Sequence, residues 1–296
     1  MTPPWFSTCL QTGLIQHPIS PCSSPLVVIS KKSGGVRITV HYKKLNQINS
    51  LRQLPIPLVD EVLDSLGRPV FSLLDLVSSF HQITAHKDAV PLEAFFAPTG
   101  FYWWLAMPQS SRASPGWFVK VVNEGIKGLE QVAAYLDDVV VFASDPTAHV
   151  KIMRALFECL GKHSLTLSPS KARLGVTDAD FLGHSISPVS LRPSAEKKSA
   201  LIKMLIPRDL KQVGALLGGV RYYRKFLGEL SKRIRPITSV LRKGFNFEFT
   251  PTMEANVREI LVELAAAPIL VFPDWDAIVD GPHLFHVYCD ACIDDL

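Results

Sequence analysis

The chain has 296 residues, of which 47% are hydrophobic and 20% charged, a balance that supports a folded core in more than one domain and excludes small disulfide scaffolds and disordered chains. No run of about 18 uninterrupted apolar residues occurs, and the start does not look like a secretory leader, so the expectation is a cytoplasmic protein, no membrane partner and free thiols at the five cysteines. The net charge of +4 is uneven: residues 192–243 carry 14 Lys and Arg against three acids, a local +11 that leaves −7 elsewhere. A basic block on an acidic body suits a protein that grips a polyanion with one part and uses carboxylates for chemistry in another.

Residues 17–25 hold three prolines and cannot form a helix. Residues 26–30 and 36–42 then predict two strands around the turn formed by 31–35, a basic hairpin. Residues 69–76 predict a buried strand ending in acid at Asp75. Residues 132–143 form two apolar arms around Asp137 and Asp138, a second hairpin. After Ser144-Asp145-Pro146, the spacing of Val150, Met153, Leu156, Phe157 and Leu160 predicts a helix stopped near Gly161. A further helix is predicted over 210–230, with Val213, Leu216, Leu217, Val220 and Tyr223 on one face and Arg221, Arg224 and Lys225 largely off it. Strands and helices do not strictly alternate, which favours α+β over a doubly wound sheet.

Asp75, Asp137 and Asp138 lie within the most apolar segments, where an unpaired carboxylate costs several kcal/mol or protonates. Neither segment contains a Lys or Arg, and converging carboxylates suit a hard cation such as Mg²⁺. Two such ions about 4 Å apart can activate an attacking hydroxyl and steady a departing pyrophosphate. The competing reading of Asp137-Asp138 is ordinary turn chemistry.

Around these acids the sequence resembles the reverse transcriptases of retroviruses and long-terminal-repeat retrotransposons, especially the gypsy-like type, over nearly the whole chain. Tyr135-Leu136-Asp137-Asp138 resembles the family's Tyr-x-Asp-Asp hairpin, and Phe71-Ser72-Leu73-Leu74-Asp75-Leu76 the strand carrying its first catalytic aspartate. The resemblance implies a right-hand polymerase of α+β class. Fingers would occupy 1–68 with part of 86–105, an antiparallel catalytic palm 69–190, and a basic thumb 191–248. A connection and the beginning of a ribonuclease H-like domain would occupy 249–296.

The implied activity is RNA-directed DNA polymerisation with two Mg²⁺ ions, Mn²⁺ being a possible substitute, on an RNA or DNA template with primer and deoxynucleoside triphosphates. Asp75 and Asp137 would hold both metals, with Asp138 completing the cluster and the Leu76 carbonyl adding a ligand. Phe80 would exclude a 2′-hydroxyl, Gln109 would lie near the incoming nucleotide, and Arg37 with Lys31 or Lys32 would meet its triphosphate. Phe181-Leu182-Gly183-His184 resembles the hairpin that positions the primer end, where Tyr135 also falls, and Arg221, Arg224 and Lys225 would meet phosphates.

Three positions depart from the family pattern. Ser110 stands where glycine is usual, His41 where an aspartate is usual, and Ser79 where glycine or alanine is common. The same residues leave open a catalytically silent remnant that binds nucleic acid. Residues 285–291 resemble the first strand of a ribonuclease H domain, an activity expected of a parent Pol polyprotein and not of this chain.

Overall fold

The computed structural model describes residues 4–17, 22–30, 36–49, 54–204, 206–242, 247–266 and 269–272. The ribonuclease H-like segment at 285–291 lies outside them. The chain divides into two compact units, Met1–Val176 and Thr177–Leu296. The first contains α1 (Pro4–Gln11), β1 (Ile15–Gln16), β2 (Ser24–Ser30), β3 (Val36–Val40), α2 (Lys43–Ile48), α3 (Val59–Asp64) and β4 (Val70–Asp75). It continues with β5 (Phe95–Ala97), β6 (Gly100–Trp104), α4 (Ser114–Gly125), β7 (Val132–Tyr135), β8 (Asp138–Ala143), α5 (Pro146–Lys162) and β9 (Arg173–Val176).

Two sheets organise this unit, one ordered β1-β6-β5-β2-β3 and the other β7-β8-β4-β9. β2 and β3 pair antiparallel with Ser30 opposite Val36, as a hairpin requires. Against the first sheet gather Phe6, Tyr42, Phe95, Tyr102 and Trp104. In the second sheet, Val139, Val140 and Val141 are all fully buried, so both faces of β8 are covered. That is why β8 reads as a continuous apolar run instead of an alternating one. Phe118 and Val122 of α4 and Met153, Leu156 and Leu160 of α5 pack with Leu74, Val139 and Val141. Burying side chains of this size stabilises the unit by about 1.5–3 kcal/mol each.

α5 begins as its sequence demands: Pro146 occupies the first turn and the Asp145 carboxylate accepts from the Ala148 amide at 2.9 Å. Its buried stripe is His149, Met153, Leu156 and Leu160. Val150 and Phe157, expected on that face, are half exposed, because each is one residue (about 100°) out of step with it. The helix ends at Lys162, near Gly161 as expected. The turn is made by Ser164 at φ +56°, with Leu165 N–H donating to Leu160 O and Ser164 N–H to Gly161 O, a Schellman closure.

The second unit contains β10 (Ala179–Phe181), β11 (His184–Ile186), β12 (Ser190–Pro193), α6 (Ala195–Ile202), α7 (Leu210–Tyr222), α8 (Leu230–Ser239), α9 (Pro251–Ala265) and β13 (Leu270–Val271). Its sheet runs β10-β11-β12-β13 and is antiparallel throughout. The helix expected over 210–230 is broken: α7 ends at Tyr222, Arg224–Phe226 form one 3₁₀ turn, and Glu229 at φ +51° precedes α8. The expected apolar face survives, since Val213, Leu216, Leu217, Val220 and Tyr223 are buried. α6 and α7 approach closely at Gly219, where a Cβ would fall 2.5 Å from Leu201 Cδ2. No described helix is long and apolar enough to cross a membrane.

One buried polar pair ties β4, β9 and α5 together. Ser72 Oγ lies 2.7 Å from His149 Nε2 and accepts from the Gly175 amide at 2.9 Å. Burial holds the His149 pKa below its ordinary value, and its buried Nδ1 has no hydrogen-bond partner among the described residues. A proton is therefore bound more tightly by the unfolded chain, whose histidines titrate near about 6.5. Stability from this group is present above that pH and is lost as pH falls below it. We expect the melting temperature to fall between pH 7.5 and 5.5, and His149→Gln, which keeps a donor toward Ser72, to fall less; equal falls in calorimetry would contradict this.

Candidate functional site

The register of β4 against β8 determines the site. Asp75 lies opposite Asp138, and Asp138 also faces Tyr135 across the β7–β8 turn, so Leu136 and Asp137 form a two-residue loop. Leu136 has φ +54°, a conformation costly for a side-chain-bearing residue, and the loop is fastened by Leu76 N–H donating to Asp137 O at 2.9 Å. Leu74, Leu76 and Val139 point into the helix-covered core, which places Asp75 and Asp138 on the opposite face. The three acids thus meet at one end of the sheet.

Their charges are only partly balanced. The Asp138 pKa is pushed up to about 6, first by burial, then by the charges of Asp137 and Asp75, with Lys171 opposing. Lys171 Nζ donates to both Asp75 oxygens, each at 2.9 Å, and this bond raises the Lys171 pKa. Neither apolar segment holds a cation, as their sequences state; the one that meets Asp75 comes from outside both. Lys171 is remote in sequence and reaches Asp75 because the loop before β9 returns beside β4, with Ser168 N–H donating to Asp75 O at 2.7 Å. Among the described residues, no three His, Cys, Asp or Glu side chains are grouped closely enough to hold an ion as they stand. The donor chemistry, three carboxylates at one sheet end, fits a hard divalent cation. The arrangement would have to release Asp75 to use it.

Phe80 sits in the 3₁₀ turn Ser79–Gln82, its ring 5.1 Å from the buried ring of Phe118 and partly open to solvent. The preceding Ser78 and Ser79 have φ of +52° and +31°, and Ser79 is buried. His81 stacks on Trp104 at 4.7 Å, and burial lowers its pKa. Gln109 is exposed, following Met107 and Pro108, whose backbones are held by Ile83 O and by the Ser114 hydroxyl. Ser110 is bound into the structure: its hydroxyl meets that of Thr39 on β3, and its carbonyl accepts from Asn46 Nδ2 at 3.2 Å. His41 is exposed. Arg37 is a β3 residue opposite Ile29, while Lys31 and Lys32 lie outside the described residues.

In the second unit, Phe181 faces His184 across a turn with Leu182 at φ +45° and Gly183 at φ +73°, a geometry that matches the twist of a tight hairpin. The Tyr222 and Tyr223 hydroxyls donate to the carbonyls of Leu182 and Gly183, and buried His184 lies 5.7 Å from the Phe226 ring. The hairpin is thus pinned to the end of α7. Arg221 and Arg224 line a cleft of about 600 Å³ with Lys232, Arg235 and Glu229. Lys225 is half-buried. Lys232 and Arg235 belong to the basic block of 192–243, although the motifs do not single them out.

Residues 29–186 match the family model described as reverse transcriptase (RNA-dependent DNA polymerase). The chain belongs to that family. It is 33% identical over 279 residues to the retrovirus-related Pol polyprotein from transposon 297 of Drosophila melanogaster, covering 90% of this chain and 26% of that relative. It is 28% identical to the transposon Tf2-3 polyprotein of Schizosaccharomyces pombe, covering 88% of this chain and 20% of that one. The chain therefore spans about a quarter or less of the length of these curated relatives. A solved foamy viral protease–reverse transcriptase in complex with double-stranded DNA superposes with a TM-score of 0.79 at 25% identity, covering 89% of this chain and 56% of that chain. A second, with an RNA/DNA hybrid, gives 0.78 at 24% identity, covering 89% and 36%. The α+β polymerase fold and the long-terminal-repeat retrotransposon kinship expected from the motifs are both borne out.

Ser79 carries a Cβ in a conformation suited to glycine. Ser79→Gly is expected to raise stability by about 0.5–1 kcal/mol, relief of the left-handed strain exceeding the entropy cost of glycine, whereas Ser79→Ala should give no such gain. Denaturant melts check this, and a Gly variant no more stable than the Ala variant would contradict it.

Proposed function

We propose that the chain is an RNA-directed DNA polymerase that extends a primer on an RNA or DNA template. The observation that carries the reading is the register of β4 and β8, which sets Asp75 beside Asp138 with Asp137 in the adjoining loop. The primer 3′-oxygen would attack the α-phosphorus of a deoxynucleoside triphosphate, forming the new phosphodiester as the bond to pyrophosphate breaks. Two bound Mg²⁺ ions, replaceable by Mn²⁺, would supply charge stabilisation at the attacking and leaving oxygens.

Asp75 and Asp137 would hold the ions, supported by Asp138 and the Leu76 carbonyl. Phe80, anchored on Phe118, would fill the space of a ribose 2′-hydroxyl. Gln109 and Arg37, with Lys31 or Lys32, would face the nucleotide. Tyr135 and the 181–184 hairpin would serve the primer end, and Arg221, Arg224 and Lys225 would bind phosphates without regard to sequence. Solved relatives that hold double-stranded DNA and an RNA/DNA hybrid support such a partner. The departures at Ser110, His41 and Ser79 support a second reading, a silent remnant that binds nucleic acid.

Primer extension with Mg²⁺ on a homopolymer template decides between them: extension supports the polymerase, and salt-sensitive binding without extension supports the remnant. Asp137→Asn is expected to lower extension by at least about a hundredfold while leaving template binding nearly unchanged. Undiminished extension would refute the assignment. Phe80→Val should admit ribonucleotides, raising their incorporation relative to deoxynucleotides; an unaltered ratio in competition assays would remove Phe80 from sugar selection.

A further inference from the structure

The loop carrying Lys171 is built against the site. Leu167 bridges to Leu76, Ser168 N–H donates to Asp75 O, and Lys171 and Ala172 N–H both donate to Ser168 O. The Gln82 side chain, two residues after Phe80, clamps the same loop through Thr166 N–H and O while donating to Val77 O. The backbone beneath Lys171 is therefore fixed to both β4 and the Phe80 turn, and only its side chain is free to move. That side chain is 64% exposed, whereas the Asp75 side chain it covers is 19% exposed.

We propose that Lys171 is a positioning residue whose ammonium serves as a built-in counter-cation for Asp75 until a divalent ion enters, and that the ion must displace it. The inference rests on the reading of Asp75 as a metal-holding acid. A hard cation takes a carboxylate oxygen at about 2.0–2.1 Å, so an ammonium spanning both oxygens at 2.9 Å would sit almost against it. Two cations so close repel strongly, and one must leave. The ammonium is the mobile one: an ion pair with so exposed a partner is weak and exchanges readily, and the flexible stem of Lys171 can swing to solvent without disturbing the clamped loop.

The test is Mn²⁺ binding by the full chain, with free Mn²⁺ followed by electron paramagnetic resonance. Lys171→Met is expected to tighten binding about three- to tenfold, and Lys171→Arg to behave like the parent. In an Asp75→Asn background, Lys171→Met should change nothing, which separates direct competition from general repulsion of cations. If Asp75→Asn weakens Mn²⁺ binding but Lys171→Met leaves it unchanged or weaker, the displacement idea is overturned and the metal reading stands. If Asp75→Asn binds Mn²⁺ like the parent, the metal reading itself fails. Should Lys171→Met not fold, the unaltered chain decides: Mn²⁺ should speed acylation of the Lys171 amine, read by mass spectrometry, without speeding that of other exposed lysines. An unchanged Lys171 rate overturns the proposal.

Discussion

The functional end of the first unit depends on one backbone interaction, the antiparallel ladder between β4 and β8. It runs from Val70 opposite Ala143 to Asp75 opposite Asp138 without a break in register. Sheet periodicity makes this unforgiving: a slip of one residue would turn Asp75 into the helix-covered core and Leu74 out of it. The hydrophobic demand that buries Leu74, Leu76, Val139 and Val141 is therefore the same demand that presents the carboxylates together. No attraction between the acids is needed: burial first, and then the like charges of Asp137 and Asp75, push the Asp138 pKa up.

That repulsion is accompanied by backbone strain at the same end of the sheet. Leu136, Ser78 and Ser79 all have positive φ, and they flank the acids and Phe80. Each costs on the order of 1–2 kcal/mol, which an isolated hairpin could not sustain. The packing of α4 and α5 beneath, with Phe118, Leu156 and Leu160 almost fully buried, holds these residues in place. The Ser72–His149 pair stitches α5 to β4 and, through Gly175, to β9. Stability is concentrated in the core and strain at the edge, as expected where a site must hold like charges together.

Local pattern made much of this legible. The continuous apolar arms around Asp137-Asp138, the acid at the end of 69–76 and the α5 cap at Asp145-Pro146 each state their structure within a few residues. What the pattern could not reveal was either one residue out of phase or far away in sequence. Val150 and Phe157 satisfy a helical count yet lie beside the buried stripe that begins at His149. α7 ends at Tyr222 because the chain turns there to bring the Tyr222 and Tyr223 hydroxyls and Phe226 onto the 181–184 hairpin, a tertiary requirement that helix periodicity does not record. The contact of Ser110 with Thr39 likewise joins segments 71 residues apart.

Lys171 is the clearest of these distant contributions, and its position explains why an apolar segment can carry Asp75 at all. A cation within β4 would have to be buried alongside the acid, where desolvating both charges opposes the gain from pairing them. Delivered from a loop across the sheet edge, the ammonium reaches the carboxylate while most of its side chain stays in water. The pair is thereby strong enough to neutralise Asp75 and weak enough to open. A fixed internal partner would stabilise the fold more and would close the acid to any other cation; an exposed, long-stemmed lysine leaves the carboxylate exchangeable, which is the property a binding site for a soluble ion requires.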